Sequence, residues 1–216
     1  MKINYQKELE AILKRLPKDE RKPVLVLHCC CAPCSTYVLQ YLVQYFTIKI
    51  LFYNPNISPP SEYDRRLLEL HALLRQMKLE QEIAVLEAEY DPALFYERVR
   101  GLEDEPEGGK RCETCFALRL EEAGRQAKEL GADFFTTTLT ISPHKDSALL
   151  NELGQMVGER YGMEYLLSDF KKKDGFRQSI QLSREHGLYR QDYCGCIFSK
   201  QERERQAAEQ AEKENG

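Results

Sequence analysis

Short apolar runs separated by longer amphipathic stretches constrain this chain most, because few architectures accommodate that alternation. Val24-Leu-Val-Leu-His28 is a continuous apolar run of strand type, and residues 47–53, 82–86, 133–139 and 165–168 have the same character. Between them, residues 36–46, 61–77, 92–99, 113–130, 146–161 and 175–186 carry helical patterns. Residues 3–16 add an amphipathic helix with Ile3, Leu9, Ile12, Leu13 and Leu16 on one side, ended by Pro17. Ser35 and Ser61 are the expected N-caps of the helices that follow them, and Gly131 fits a C-terminal cap. Strands alternating with helices imply an α/β fold with a mainly parallel sheet flanked by helices. No internal repeat or long linker divides the chain. Residues 1–198 are therefore expected to form one α/β domain that carries the chemistry, and residues 199–216 a charged helical or frayed tail. Sites in such folds gather where loops leave the C-terminal ends of strands.

Composition narrows the class. The 216 residues are 42% hydrophobic and 31% charged, as in a soluble globular protein with a real core. The apolar run from Val24 to Leu27 is far too short to span a bilayer. Met1-Lys-Ile-Asn-Tyr-Gln-Lys-Glu lacks the apolar centre of a signal peptide, so a cytoplasmic location is expected. A net charge of −4 argues against a dedicated nucleic-acid coat protein, yet a binding site needs only a local basic patch.

Eight cysteines in a chain expected to meet a reducing cytosol point to metal binding or redox work rather than structural disulfides. None is isolated. The first group is His28-Cys-Cys-Cys-Ala-Pro-Cys34, at a strand end feeding a helix start, where backbone N–H groups converge and thiol pKa falls. Three adjacent cysteines cannot all enter one small site, so one or two must face elsewhere. The second group is Cys112-Glu-Thr-Cys115, which alone fits a thioredoxin-like dithiol, half a zinc site or part of an iron–sulfur site. Together with a Cys-Cys pair on another strand-end loop it completes a four-thiolate set. Zinc and [4Fe–4S] both accept such a set, and spacing does not choose between them. The third group is Cys194-Gly-Cys196. A disulfide there closes a small strained ring eased by Gly195, and strained disulfides suit a reversible two-electron relay. Two further metal ligands are the competing reading.

Among the four histidines, His28 adjoins the cysteines and His144, in Ile141-Ser-Pro-His-Lys-Asp146, lies on a loop at the same end of the sheet. Lys171-Lys-Lys173, Arg177, Arg184 and Arg190 interleave with Phe176, Tyr189 and Tyr193 around the third cysteine pair. Cationic and aromatic groups in that mixture suit an extruded nucleobase, although a run of charges is more often a solvated face.

Taken together and in order, His28-Cys-Cys-Cys-Ala-Pro-Cys34, Tyr53-Asn-Pro-Asn-Ile57, Cys112-x-x-Cys115, Thr136-Thr-Thr-Leu139 with Ser142-Pro-His-Lys145, and Tyr193-Cys-Gly-Cys196 resemble the QueH-type epoxyqueuosine reductases. The resemblance spans residues 24–198. It implies reduction of epoxyqueuosine to queuosine at the wobble position of tRNA, the last step of queuosine synthesis, by an oxidoreductase. It implies a fold similar to the nucleotide-binding group that includes PP-loop ATPases. The Ser-Gly-Gly-x-Asp-Ser loop of those enzymes is absent here, so ATP use is not expected. It further implies that Cys30, Cys31, Cys112 and Cys115 hold a [4Fe–4S] cluster and that Cys194 and Cys196 are the redox-active pair. Cys34 is near enough to hold a second metal ion, an iron, and Cys29 has no assigned role. His144, Lys145, Arg177 and Tyr193 are candidate substrate contacts, and His28, Tyr53 and Tyr193 candidate proton donors. The expected partners are tRNA carrying epoxyqueuosine at its anticodon and an unidentified electron donor, with no membrane. The competing expectation is a zinc-binding structural or RNA-binding module without turnover. A tRNA-thiolating enzyme is disfavoured by the missing ATP loop.

Overall fold

The computed structural model describes residues 3–17 and 21–214. The ends of the expected domain and tail, at Met1 and Gly216, lie outside the described residues. In chain order the elements are α1 (Tyr5–Arg15), β1 (Val24–His28), α2 (Ala32–Leu42), β2 (Thr47–Phe52), α3 (Pro60–Gln76), β3 (Ala84–Glu87), α4 (Pro92–Arg98) and α5 (Lys110–Glu129). They continue with β4 (Phe134–Thr137), a 3₁₀ turn (Thr138–Ile141), α6 (Ser147–Tyr161), β5 (Glu164–Tyr165), α7 (Gly175–Glu185) and α8 (Ile197–Glu214). The five strands form one sheet in the order β3-β2-β1-β4-β5. Every pairing is parallel, with Val24 opposite Thr47 and Leu25 opposite Phe134.

Strand alternation sends neighbouring side chains to opposite faces. Leu25, Leu27 and Phe134 pack with α1, α2 and α3 through Leu9, Leu13, Val38, Leu39, Leu70 and Leu73. Val26, Leu51 and Phe135 pack on the other face with α5 and α6 through Phe116, Leu120, Ala123, Leu150 and Val157. Close approach of α5 and α6 depends on Gly124, where a Cβ would lie 2.5 Å from Val157 Cγ1.

Several boundaries differ from the sequence expectation for identifiable reasons. Helix α2 begins at Ala32 because Ala-Pro fits a first turn whose N–H groups need no helical partner, and Cys31 is its extended N-cap. Ser35 therefore caps nothing: it lies inside the helix and its hydroxyl donates to the Cys31 carbonyl at 2.8 Å. Helix α3 likewise starts at Pro60 with Pro59 at the cap position, so Ser61 is already helical. Ile3 precedes α1, which is capped by Asn4, and is 57% exposed. Helix α5 starts at Lys110, which places both Cys112 and Cys115 within its first two turns. The strand expected over 133–139 ends at Thr137, whose hydroxyl accepts from Leu139 N at 3.1 Å and turns the chain into the 3₁₀ segment.

The order of the strands positions the site. From β1 the chain runs outward to β2 and β3, then returns to place β4 on the other side of β1. The crevice above the C-terminal ends of β1 and β4 is a topological switch point, and the cysteine loop leaves β1 there.

Candidate active site

His28 anchors the end of β1. It is fully buried, and its two ring nitrogens lie 2.9 Å from Thr137 Oγ1 and 3.1 Å from the Tyr53 carbonyl. A carbonyl only accepts, so Nε2 carries the proton and Nδ1 accepts from the Thr137 hydroxyl. Burial, reinforced by the charge of Arg119, depresses the His28 pKa to about 4, which keeps the ring neutral. Both nitrogens are thus engaged in joining β1 to β4 and to the loop after β2.

The three cysteines that follow separate as expected. Cys29 turns into the apolar core beside Leu25 and Leu27, and burial pushes its thiol pKa upward. Its carbonyl accepts from Asn54 Nδ2 at 2.9 Å, which ties the cysteine loop to the loop after β2. Cys30, Cys31 and Cys34 converge instead, with their three sulfurs within 4.8 Å of one another. Cys30 Sγ donates to Cys31 Sγ at 3.8 Å. Hydrogen bonds from Cys30 and then Cys34 draw the Cys31 thiol well below its ordinary range, while the contacts of Cys34 with Cys30 and then Cys31 raise Cys34. Of the three thiols, Cys31 is thus the one most biased toward thiolate. Three thiols at that spacing suit a thiophilic ion, since metal–sulfur bonds of about 2.3 Å bring tetrahedral sulfurs together to a comparable degree.

The other thiols assemble from distant segments. Cys112, Cys115, Cys194 and Cys196 line a small hollow of about 10 Å³, together with Asn56, Phe95 and Arg119. Burial raises the Cys115 pKa to about 12. Cys112 also packs against the apolar cluster that contains Cys30 and Cys31. No disulfide joins Cys194 to Cys196; all eight cysteines are free.

The Cys194-Gly-Cys196 segment rests on a built platform. Arg66, 1% exposed, donates from Nε to Glu62 at 2.7 Å and from Nη1 to the Cys194 carbonyl at 3.0 Å. Ser58 N donates to the Gly195 carbonyl at 2.9 Å, and Tyr193 Oη to the Ser58 carbonyl at 3.3 Å. Gly195 has φ +126°, and a Cβ there would lie 2.9 Å from Arg66 Nη1, so glycine is required for both reasons. Arg111 plays a similar part nearby: it is 3% exposed and its Nη1 gathers the carbonyls of Leu102, Glu103 and Glu105, giving the polar segment before α5 a fixed course.

A larger cavity of about 470 Å³ opens over this chemistry. Cys30, Cys31, Cys34 and Cys194 form part of its wall, as do His144, Lys145 and Tyr193. Of the candidate substrate contacts, Arg177 alone is not in that lining; its neighbour Phe176 is. Helix α8 supplies Glu202, Arg203 and Gln206. Lys145 has its pKa raised by the nearby sulfurs, first Cys194 and then Cys30. Tyr53 is buried and is not part of the lining, whereas Tyr193 reaches the cavity. Arg119, Arg66 and Glu62 went unremarked in the sequence. The available signal was position: Arg119 stands four residues after Cys115 on the same helical face, and Glu62 and Arg66 form an i, i+4 pair.

No helix among the described residues is long and apolar enough to cross a membrane. Residues 25–202 match the family model described as "Epoxyqueuosine reductase QueH". Proteins of that name from Streptococcus pyogenes and Staphylococcus epidermidis are 44% and 45% identical to this chain. The first alignment covers 92% of this chain and 78% of the relative, the second 92% and 85%. The Thermotoga maritima protein of the same name is 34% identical over 86% of this chain and 94% of its own length. With that extent of similarity, the chain, whose cysteines gather at one end of a parallel sheet, belongs to the epoxyqueuosine reductase QueH family of oxidoreductases.

Proposed function

We propose that this protein reduces epoxyqueuosine to queuosine in tRNA, in the cytoplasm, with a [4Fe–4S] cluster on Cys30, Cys31, Cys112 and Cys115 and with Cys194 and Cys196 as a redox-active pair. The observation that carries the reading is Cys194, which lines both the 470 Å³ cavity and the small hollow holding Cys112, Cys115 and Cys196. A dithiol in that position adjoins both the substrate space and the other thiols.

The residues present fit a thiophilic cofactor. The donors are thiols, Cys31 is biased toward thiolate, and Cys112 packs with Cys30 and Cys31. Buried cationic charge on Arg119 faces sulfur on both sides, as a net-negative thiolate–metal centre requires. The cluster, when bound, supplies electrons one at a time. The converging sulfurs of Cys30, Cys31 and Cys34 favour a second thiophilic ion, an iron, at Cys34.

Converting the epoxide to an alkene consumes two electrons and two protons and releases the oxygen as water. The protein's part is to bind, orient and shield the reacting group. A cavity of about 470 Å³ accommodates an extruded modified base. Phe176 and Tyr193 offer ring faces, and Lys145 and His144 offer donors to oxygen atoms of the substrate. Tyr193 is the candidate proton donor that lines the cavity, and its hydroxyl would have to exchange its bond to the Ser58 carbonyl for one to the substrate. His28 is unsuited to that role, since both its nitrogens are committed and it stays neutral. Lys172 and Arg184, exposed before and on α7, are available to tRNA phosphates, whereas Lys171 is paired with Asp169. Its electron donor is a separate redox partner.

The test is incubation of anaerobically purified protein and a low-potential reductant with tRNA carrying epoxyqueuosine, followed by nucleoside mass spectrometry. Loss of one oxygen from the modified nucleoside is expected. An unchanged nucleoside with a protein holding only zinc supports the structural-module reading instead.

A further inference from the structure

Among the described residues three arginines are buried, and they differ in what opposes their charge. Arg66 forms an ion pair with Glu62 at 2.7 Å. Arg111 and Arg119, 3% and 1% exposed, pair with no carboxylate among the described residues. Arg111 Nη1 is taken up by the carbonyls of Leu102, Glu103 and Glu105, and its Cζ lies 4.7 Å from the Phe198 ring centroid. Arg119 Nε donates to the Cys115 carbonyl at 3.2 Å, and its Cζ lies 5.5 Å from the Phe116 ring centroid. Each keeps one buried nitrogen without a hydrogen-bond partner, Nε in Arg111 and Nη2 in Arg119. Both side chains line the small hollow with Cys112 and Cys115. Glu107 borders the same hollow, but it is exposed and is ion-paired with neither.

A guanidinium stays ionised in proteins, and burying it without an opposing charge is strongly unfavourable. A buried donor left unpaired adds a desolvation cost of its own. Carbonyls and ring faces ease that cost but carry no net charge. Two such cations at one thiol-lined hollow therefore call for an anionic acceptor there. Sulfur coordinated to a metal is such an acceptor, because coordination itself removes the thiol proton. We infer that Arg111 and Arg119 are positioning residues whose unpartnered N–H groups donate to the sulfurs of the metal centre held by Cys112 and Cys115, retaining the metal and raising its reduction potential. The inference rests on the proposed cluster and makes no use of the Cys194–Cys196 relay. The direction follows from charge: the reduced centre is the more negative, so fixed cationic donors favour it.

The experiment uses anaerobically purified, iron-loaded full-length protein. Iron release to the chelator bathophenanthroline is followed by absorbance. The midpoint potential is read by electron paramagnetic resonance during titration with dithionite and redox mediators. Arg119→Met removes charge and donor together, and is expected to release iron about tenfold faster. At fixed potential its ratio of oxidised to reduced centre is expected to rise about tenfold, roughly 59 mV lower for a one-electron couple. Arg119→Lys keeps a charge and N–H donors and is expected to stay near wild type. Arg111→Met is read in the same way, should the Arg119→Met protein fail to fold. A methionine variant matching wild type in both measurements overturns the inference. So does faster iron release at an unchanged potential, which lost packing alone produces, or a lysine variant that shifts as far as the methionine one. A wild type that loads zinc but no iron removes the cluster reading itself, and the inference with it.

Discussion

The two thiol groups reach the same end of the sheet by opposite routes. Cys30, Cys31 and Cys34 come from one short segment, fixed by the end of β1, the N-terminus of α2 and the neutral His28 latch. Cys112, Cys115, Cys194 and Cys196 come from two segments far apart in sequence, held by the Glu62–Arg66 platform and by Arg111. The first group is a local consequence of strand-to-helix geometry and keeps its sulfurs within 4.8 Å. The second exists only when the whole fold is in place. A locally fixed set suits permanent ligands, whereas a set containing a glycine-linked pair on its own loop can exchange electrons without dismantling the fold.

The largest expected effect comes from testing whether the groups share one metal centre. Cys31→Ala and Cys112→Ala should each abolish both iron loading and tRNA reduction, although they alter different segments. If only one of them loses iron, the groups are separate sites. Next is Cys196→Ser, expected to keep the iron and the first reduction but to stop at about one turnover per chain, as single-turnover assays would show. Steady-state activity at the wild-type level would remove the relay.

Smaller effects separate the two supports. Arg66→Ala leaves Glu62 without its buried partner and frees the Cys194 carbonyl, so a loss of about 3 kcal/mol in denaturant unfolding is expected. Faster alkylation of Cys194 and Cys196, with no change at Cys30, would localise the damage to the assembled group. His28 supports the local group and gives a pH signature. Its folded pKa of about 4 lies below the unfolded value of about 6.5, so the unfolded chain takes up the proton first. The stability contributed by neutral His28 is complete above pH ~6.5 and declines as pH falls toward 4, by about 3 kcal/mol in all. Chemical denaturation of the metal-free protein across that range measures it, and His28→Asn should flatten the profile.

Much of this arrangement was legible in the residues. Apolar runs located β1, β2 and β4 because buried parallel strands need continuous hydrophobicity. The crowding of Cys29, Cys30 and Cys31 implied that one must face away, and it is Cys29. What the residues did not disclose are features that depend on tertiary neighbours. Ser35 reads as a cap by type, but the Ala-Pro turn before it starts the helix earlier. Nothing in the residues alone singles out Arg66 and Glu62, and only packing against the Cys194 segment makes them a platform. Arg119 looks like one more charge on an amphipathic helix until α5 is seen to pass between two groups of thiols.

The most direct test of the division between a shared metal centre and a relay is iron, sulfide and visible-absorption analysis of anaerobically purified protein, beside the Cys194→Ser/Cys196→Ser double variant. A four-thiolate cluster on Cys30, Cys31, Cys112 and Cys115 predicts about four irons per chain, about five with the ion at Cys34 in place, and broad visible absorbance in both. Loss of iron and colour in the folded double variant, or a colourless wild type that holds only zinc, would contradict it.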